Sequence, residues 1–119
     1  MIAVTVVYPN RAAARFDFDY YMQQHMPMVQ QLLGSALKGV QVERGLSGLE
    51  PGSPPDSLAQ AQLVFESPEA FQRAFAPVAA RIMDDIANYT DIQPTIQFSE
   101  ILLHEERKPS VSGWYASAG

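Results

Sequence analysis

The chain has no cysteine among its 119 residues. That absence excludes disulfides, thiolate nucleophiles, iron–sulfur clusters and the common structural zinc sites. Histidine is scarce too. With only two imidazoles and no carboxylates at ligand spacing, no metal site is expected. Positive charge is thin: eight Lys and Arg stand against thirteen Asp and Glu, for a net charge of −5. The basic residues are scattered, and the one adjacent pair, Arg107 and Lys108, sits beside Glu105 and Glu106. Phosphate backbones need clustered cations, so no nucleic-acid partner is expected. No apolar run approaches the ~20 residues that span a bilayer. The start, MIAVTVVYPN, lacks a basic n-region and reads as a strand, not a signal peptide. A cytoplasmic protein without membrane contact is expected. Serine-elbow glycines, a P-loop and a Rossmann fingerprint are all missing, and no cofactor is expected.

What is present suits one soluble domain: 47% hydrophobic residues and 18% charged. Residues 2 to 8, IAVTVVY, are β-branched and apolar on both faces, as in a central strand. Asp17 is placed to cap a helix that Gly34 ends. Phe18, Tyr21, Met22, His25, Val29, Leu32 and Leu33 make its apolar stripe, opposite Gln23, Gln24, Gln30 and Gln31. Lys38 to Leu46 alternates as a half-buried strand. SGLEPGSPPDS is a loop, and Ala59, Ala61, Leu63 and Phe65 mark a third strand. Ser67 and Pro68 open a second helix with a stripe of Phe71, Phe75, Val78, Ile82 and Ile86. Pro77 predicts a kink or two short helices in tandem. After the link NYTDIQP, residues 94 to 103 form the last strand, with Ile96, Phe98 and Leu102 on one face. Glu100 shares that face and Arg44 lies with Val40 and Val42, so Glu100 is expected to line a cavity or to pair with Arg44.

The order β-α-β-β-α-β is the ferredoxin-like arrangement, an α+β fold with a four-stranded antiparallel sheet and two helices on one face. The domain is expected to span residues 1–103, with 104–119 an irregular tail whose Trp114 and Tyr115 are expected to have a role if it is ordered. An apolar open sheet face would be a larger patch than monomers tolerate, so a homodimer through that face is expected.

The stretch YYMQQHMPMV raises the functional question, because His25 falls in the apolar stripe and Pro27 follows it inside the helix. A proline there frees the carbonyl of Gln23 and bends the helix over the sheet. His25 itself points inward, where an imidazole is either a satisfied core group or a proton shuttle. His104, beside charged residues, is expected in solvent.

The segments YPN, ARFDFDYYMQQHMPMV, ALKGVQVERGLSG, PGSPP, EAFQRAF and IMDDIANYTDIQPTIQFSEI together resemble the EthD family of dimeric α+β-barrel proteins. The likeness covers about residues 1 to 103, with most weight on His25-x-Pro27 and the run Asn88-Tyr89-Thr90-Asp91. The family takes its name from gene clusters for degrading a fuel ether. Its wider superfamily includes cofactor-free monooxygenases, muconolactone-type isomerases, polyketide-modifying dehydratases and, more distantly, haem proteins. The resemblance implies a pocket between helices and sheet in each subunit. It suggests a cofactor-independent enzyme acting on a small hydrophobic, oxygenated or aromatic metabolite, with His25 moving a proton. Tyr8, Tyr21, Asn88, Tyr89 and Asp91 are the expected substrate-binding company, and Asp91 is the carboxylate expected to orient the imidazole or act as a base. The bland alternatives are a turn-forming Asp91, a helix-ending Asn88 and a packing Tyr89. A non-catalytic metabolite-binding or accessory protein is the alternative function, and haem ligation by His25 a lesser one.

Overall fold

The β-branched run Ile2–Pro9 becomes β1, hydrogen-bonded along both edges in the computed structural model, which describes residues 1–107. β3 (Ser57–Phe65) lies antiparallel on one side of β1, and β4 (Thr95–Glu100) on the other. β2 (Gly39–Arg44) adds to the far edge of β3, which makes the order β2-β3-β1-β4. This is the antiparallel α+β sheet that the βαββαβ order predicts. Trp114 and Tyr115, with most of the tail, lie outside the described residues, whereas His104 is exposed as expected.

Register follows from strand alternation. Val4 faces Leu63 and Phe98 across the sheet, and Val6 faces Ala61 and Ile96. The set containing Ile2, Val4, Tyr8, Ala59, Leu63 and Phe65 is buried in the core with the helices. The other set is Ala3, Thr5 and Val7 beside Gln60, Gln62 and Val64, with Thr95, Gln97 and Ser99 beyond. This open face corrects the expectation of an apolar patch. The valines of β1 divide between its two faces, and glutamine and hydroxyl side chains interrupt the outer one.

Asp17 caps the first helix, its Oδ1 accepting from the Tyr20 N–H at 3.1 Å. The helix does not run straight through. A short α1 (Phe18–Tyr20) widens into a π turn over Tyr21–His25 before α2 (Met26–Leu33) resumes. The Met26 N–H reaches back five residues to the Tyr21 carbonyl. Pro27 is the physical reason. Its ring crowds the carbonyl four residues back and it has no N–H to offer, so the preceding turn opens. Opening the turn also shifts the inward face. Met22, expected in the stripe, is 48% exposed, while Met26 takes a core place at 4%. Gly34, with φ +60°, ends α2.

Ser67 caps the second helix, its Oγ accepting from the Ala70 N–H at 3.0 Å. Pro77 splits that helix as expected: α3 (Pro68–Phe75) and α4 (Ala79–Asp85) flank a 3₁₀ turn, and a second such turn covers Ile86–Asn88.

Both edge strands are shorter than their sequence patterns. β4 stops at Glu100 because Glu100 pairs with Ile2, where β1 begins, and no ladder remains for Leu102. Leu46 likewise falls beyond β2 and is exposed. The expected pairing of Arg44 with Glu100 is excluded by topology, because they lie on opposite edges of the sheet. Arg44 instead sets its guanidinium 4.4 Å from the centre of the Phe18 ring.

Phe65 has no exposed surface and stacks edge-on against Phe71, with ring centres 5.2 Å apart. Phe65→Ala is expected to cost ~3–5 kcal/mol in urea unfolding. Ser67→Ala, which loses only a cap, should cost ~1 kcal/mol.

Candidate functional site

A cavity of about 340 Å³ lies between the helices and the sheet, at the low end of the roughly 300–1,000 Å³ usual for small-molecule sites. Val4, Val6, Ala61 and Leu63 line it from the centre of the sheet, and Ile96 and Phe98 from β4. Across from them stand Met26 and Val29 of α2, Phe71 and Phe75 of α3, and Ile82 of α4. Three polar side chains share the wall at the buried end: Tyr8, Tyr21 and His25. They are 2%, 1% and 4% exposed.

His25 is held from both sides. Its Nδ1 lies 2.9 Å from Asp85 Oδ2, at the end of α4, and its Nε2 lies 3.3 Å from the Tyr89 hydroxyl. Tyr89 in turn shares a 2.6 Å hydrogen bond with the Tyr8 hydroxyl. The other carboxylate oxygen of Asp85 accepts from Tyr20 Oη at 2.7 Å and from Asn88 Nδ2 at 2.9 Å. The result is one continuous chain: Asp85, His25, Tyr89, Tyr8. The π turn helps to build it. In an α-helix, residues four apart are offset by about 40° around the axis. A wider turn brings Tyr21 and His25 nearer to alignment, and their rings stack with planes 15° apart.

Electrostatics fix the resting state of the chain. Burial lowers the affinity of His25 for a proton, Asp85 only partly opposes this, and the pKa falls below its ordinary value of 6.5. Burial alone would raise Asp85, but hydrogen bonds from Tyr20, His25 and Asn88 prevail and hold its carboxyl below 3.8. At neutral pH the ring is therefore neutral and the carboxylate ionised. An ionised carboxylate only accepts, so His25 carries its proton on Nδ1 and leaves Nε2 as an acceptor. Burial raises the pKa of Tyr8, Tyr21 and Tyr89, so all three phenols stay protonated.

Of the residues expected at the site, the structure brings Tyr8, Tyr21, His25 and Tyr89 together. Asn88 stands behind them, against Asp85. Asp91 is elsewhere. One of its oxygens accepts from the Arg15 backbone N–H at 2.9 Å and lies 3.0 Å from an Arg11 guanidinium nitrogen. Its neighbour Thr90 bonds the Arg15 carbonyl, and the Tyr89 carbonyl accepts from the Asp17 N–H. These contacts pin the link after α4 to the loop before α1 and so aim Tyr89 inward. The carboxylate on the imidazole is Asp85, which the sequence reading passed over. The signal was present in its spacing: three residues after Ile82 and one before Ile86, Asp85 borders the apolar stripe of the second helix. Tyr20 was missed for the same reason, as a polar group at the rim of the first.

Residues 12–93 match the family model of the EthD domain. The chain belongs to the EthD family. An uncharacterised 11.0 kDa protein from the thcB–thcC intergenic region of Rhodococcus erythropolis is 35% identical over 102 residues, which cover 84% of this chain and 94% of that protein. An EthD-like protein from Ralstonia eutropha is 45% identical in its crystal structure, with TM-score 0.84 over 87% of this chain and 94% of the other. An ethyl tert-butyl ether D family protein from Bacillus halodurans shares the fold at 17% identity, with TM-score 0.61 over 86% and 99% of the two chains. A ferredoxin-like DABB family protein from Mesorhizobium loti, 14% identical with TM-score 0.55, covers 85% and 96% and shares the fold as well.

The two depressed pKa values of this EthD protein act in the same direction on stability. Between the lowered pKa of His25 and 6.5, the unfolded chain binds more protons than the folded one, so stability falls as pH drops through that window. Asp85 adds a second loss as pH falls from 3.8 through its own lowered pKa. Urea unfolding at pH 7.5 and 5.5 should show the wild type weaker at the lower pH. His25→Gln should shrink that difference.

Proposed function

We propose that this EthD protein binds a small hydrophobic, oxygenated or aromatic metabolite in its cavity and catalyses a proton transfer on it without a bound cofactor. His25 moves the proton. The reaction class is isomerisation, dehydration or a monooxygenase-type conversion that begins with deprotonation. The observation that carries this reading is the hydrogen-bonded imidazole in the wall of an apolar cavity, backed by an ionised carboxylate. A core histidine needs only to have its nitrogens satisfied. Here one nitrogen faces a carboxylate that stabilises an imidazolium, and the other faces a phenol chain leading to a cavity-lining hydroxyl. Tyr8 and Tyr21 are the groups available to substrate oxygens, while Tyr89 acts through Tyr8 and His25, and Asn88 and Asp91 act further back, on Asp85 and on the link that carries Tyr89.

A thermal-shift panel of aromatic lactones, phenols and enolic diketones, followed by product analysis, tests the reading. A converted ligand is expected, and His25→Ala should slow its turnover by ~10²–10⁴-fold. Full turnover in that variant would remove His25 from the chemistry. Stabilisation with no product in any case would leave a binding or accessory protein.

The same reading makes the protein a cytoplasmic homodimer that pairs the open faces of two sheets. EthD proteins are generally dimeric, and the glutamines of that face offer amide pairs alongside Val7 and Val64. Light scattering should give twice 13.1 kDa. Gln62→Lys, which sets like charges against each other in a self-complementary contact, should shift it to the monomer mass without loss of helix signal.

A further inference from the structure

We infer that the cavity selects an occupant carrying a hydroxyl group, an un-ionised phenol or enol, which donates its hydrogen bond to the oxygen of Tyr8. The inference rests on the reading of the cavity as a small-molecule site and specifies the ligand class.

The reason lies in the direction of the hydrogen-bond chain. Ionised Asp85 has no proton to give, and three donors point at it: Tyr20 Oη and Asn88 Nδ2 on one oxygen, His25 Nδ1 on the other. Having donated from Nδ1, the neutral ring can only accept at Nε2, so the Tyr89 hydroxyl gives its one proton there. The 2.6 Å bond between the two phenols must then be donated by Tyr8. Tyr8 has now used its proton as well. Its oxygen keeps acceptor capacity alone, and Tyr8 lines the cavity. A ketone or ether would set lone pair against lone pair. Turning the chain around to suit it would point a bare Nδ1 at a carboxylate, or require a charged imidazolium in a buried site.

Tyr21 adds a second, independent preference. It is 1% exposed, lines the same cavity, and its hydroxyl has no hydrogen-bond partner among the described residues. Its phenol stays protonated, so it can donate to a further oxygen of the occupant. An oxygen that donates together with a separate oxygen that accepts describes a phenol or enol whose second oxygen lies too far away to take its own hydroxyl proton.

The chain also carries a balanced proton movement. The occupant's O–H bond breaks toward Tyr8, as the Tyr8 proton passes to Tyr89 and the Tyr89 proton passes to His25 Nε2. Three O–H bonds break while two O–H bonds and one N–H bond form. The products are an oxyanion in the cavity and an imidazolium on Asp85, and no electrons are exchanged.

Asp85→Asn offers a test that a merely structural role would not meet. Tyr20 and Asn88 hold the oxygen of the new amide, which turns its NH₂ toward His25 Nδ1. The ring must then keep its proton on Nε2, and every bond of the chain reverses, so that Tyr8 becomes a donor toward the cavity. Calorimetric titration of both proteins with 1-naphthol and its methyl ether, and with 3′-hydroxyacetophenone and its methyl ether, reads the direction. The wild type should bind the hydroxyl member roughly tenfold tighter or more, as expected for one unpaired buried group. The variant should lose or invert that preference. Tyr89→Phe, which cuts the chain and frees Tyr8 to point either way, should erase it, and it serves if Asp85→Asn fails to fold. Equal binding of both members by the wild type would overturn the inference and leave the cavity reading intact. An unchanged preference in every folded variant would overturn the chain as its source. Failure of all four compounds to bind would overturn the inference together with the reading beneath it.

Discussion

The contact between His25 and Asp85 is the joint on which the site depends. It links the first helix to the end of α4 across sixty residues of sequence, at 2.9 Å. Neither group would be stable where it is without the other. A buried imidazole needs both nitrogens satisfied, and a carboxylate that is only 15% exposed needs donors to remain ionised. Because the carboxylate is ionised, the proton on the ring has one position, and that choice passes outward bond by bond. Tautomer, phenol orientation and the polarity of the cavity wall are consequences of a single charge. Tyr20 and Asn88 matter for this reason, since they help to keep that charge in place without touching the cavity.

Getting the imidazole to the joint is a backbone problem, and Pro27 solves it at the cost of one regular turn. The widened turn over Tyr21–His25 leaves the cap at Asp17 and the stop at Gly34 untouched, so the disturbance stays within the helix. Tyr21 and His25 come to stack on one wall, and Met26 takes the core place that Met22 would have held. The aromatic cluster of Tyr8, Phe16, Tyr21 and Tyr89 then closes the inner end of the cavity, with ring centres 5.0 to 5.9 Å apart.

The fold was legible because its signals are periodic and local. Caps at Asp17 and Ser67, the stop at Gly34, the break at Pro77 and the alternation of β3 all stand where the sequence pattern puts them. Strand ends were less legible, because length is set by the partner: β4 cannot outrun β1, whatever Leu102 prefers. The site was half legible. His25 announces itself as a polar residue in an apolar stripe, but its partner does not. Asp85 lies on the rim of another helix, and one-dimensional periodicity says nothing about which two rims meet. Asp91 was attractive because it lies in the family run beside Tyr89. Yet the link turns rather than running on as a strand, so closeness in sequence fixes no common direction, and the Arg11 guanidinium and the Arg15 backbone N–H hold Asp91 away from the imidazole. The π turn was hidden for a related reason: Pro27 predicts a bend over the sheet, but a ladder disturbed by proline can also widen, and here the turn before it does.

The position of the polar groups along the cavity sets the orientation of anything inside it. Tyr8, Tyr21 and His25 are within a few per cent of full burial, whereas Met83, Ile96 and Phe98 on the same cavity are 43%, 48% and 46% exposed. The mouth is therefore largely apolar, with the exposed Gln72 as a polar side chain on its wall, beside an edge strand that the helices leave partly uncovered, and the phenols and the imidazole are concentrated at the closed end. An occupant is driven to enter with its oxygens leading and its hydrocarbon trailing. In the reverse pose its polar groups would sit against Ile96 and Phe98 while the Tyr8 acceptor site and the Tyr21 hydroxyl went unused, and both mismatches cost free energy. Water expelled from the inner end leaves the phenol chain in low dielectric, where its direction carries more weight than it would at a wet surface. Selectivity by direction thus requires the geometry to be this way round: charge fixed deep inside, apolar surface at the opening, and an imidazole held between them by two hydrogen bonds.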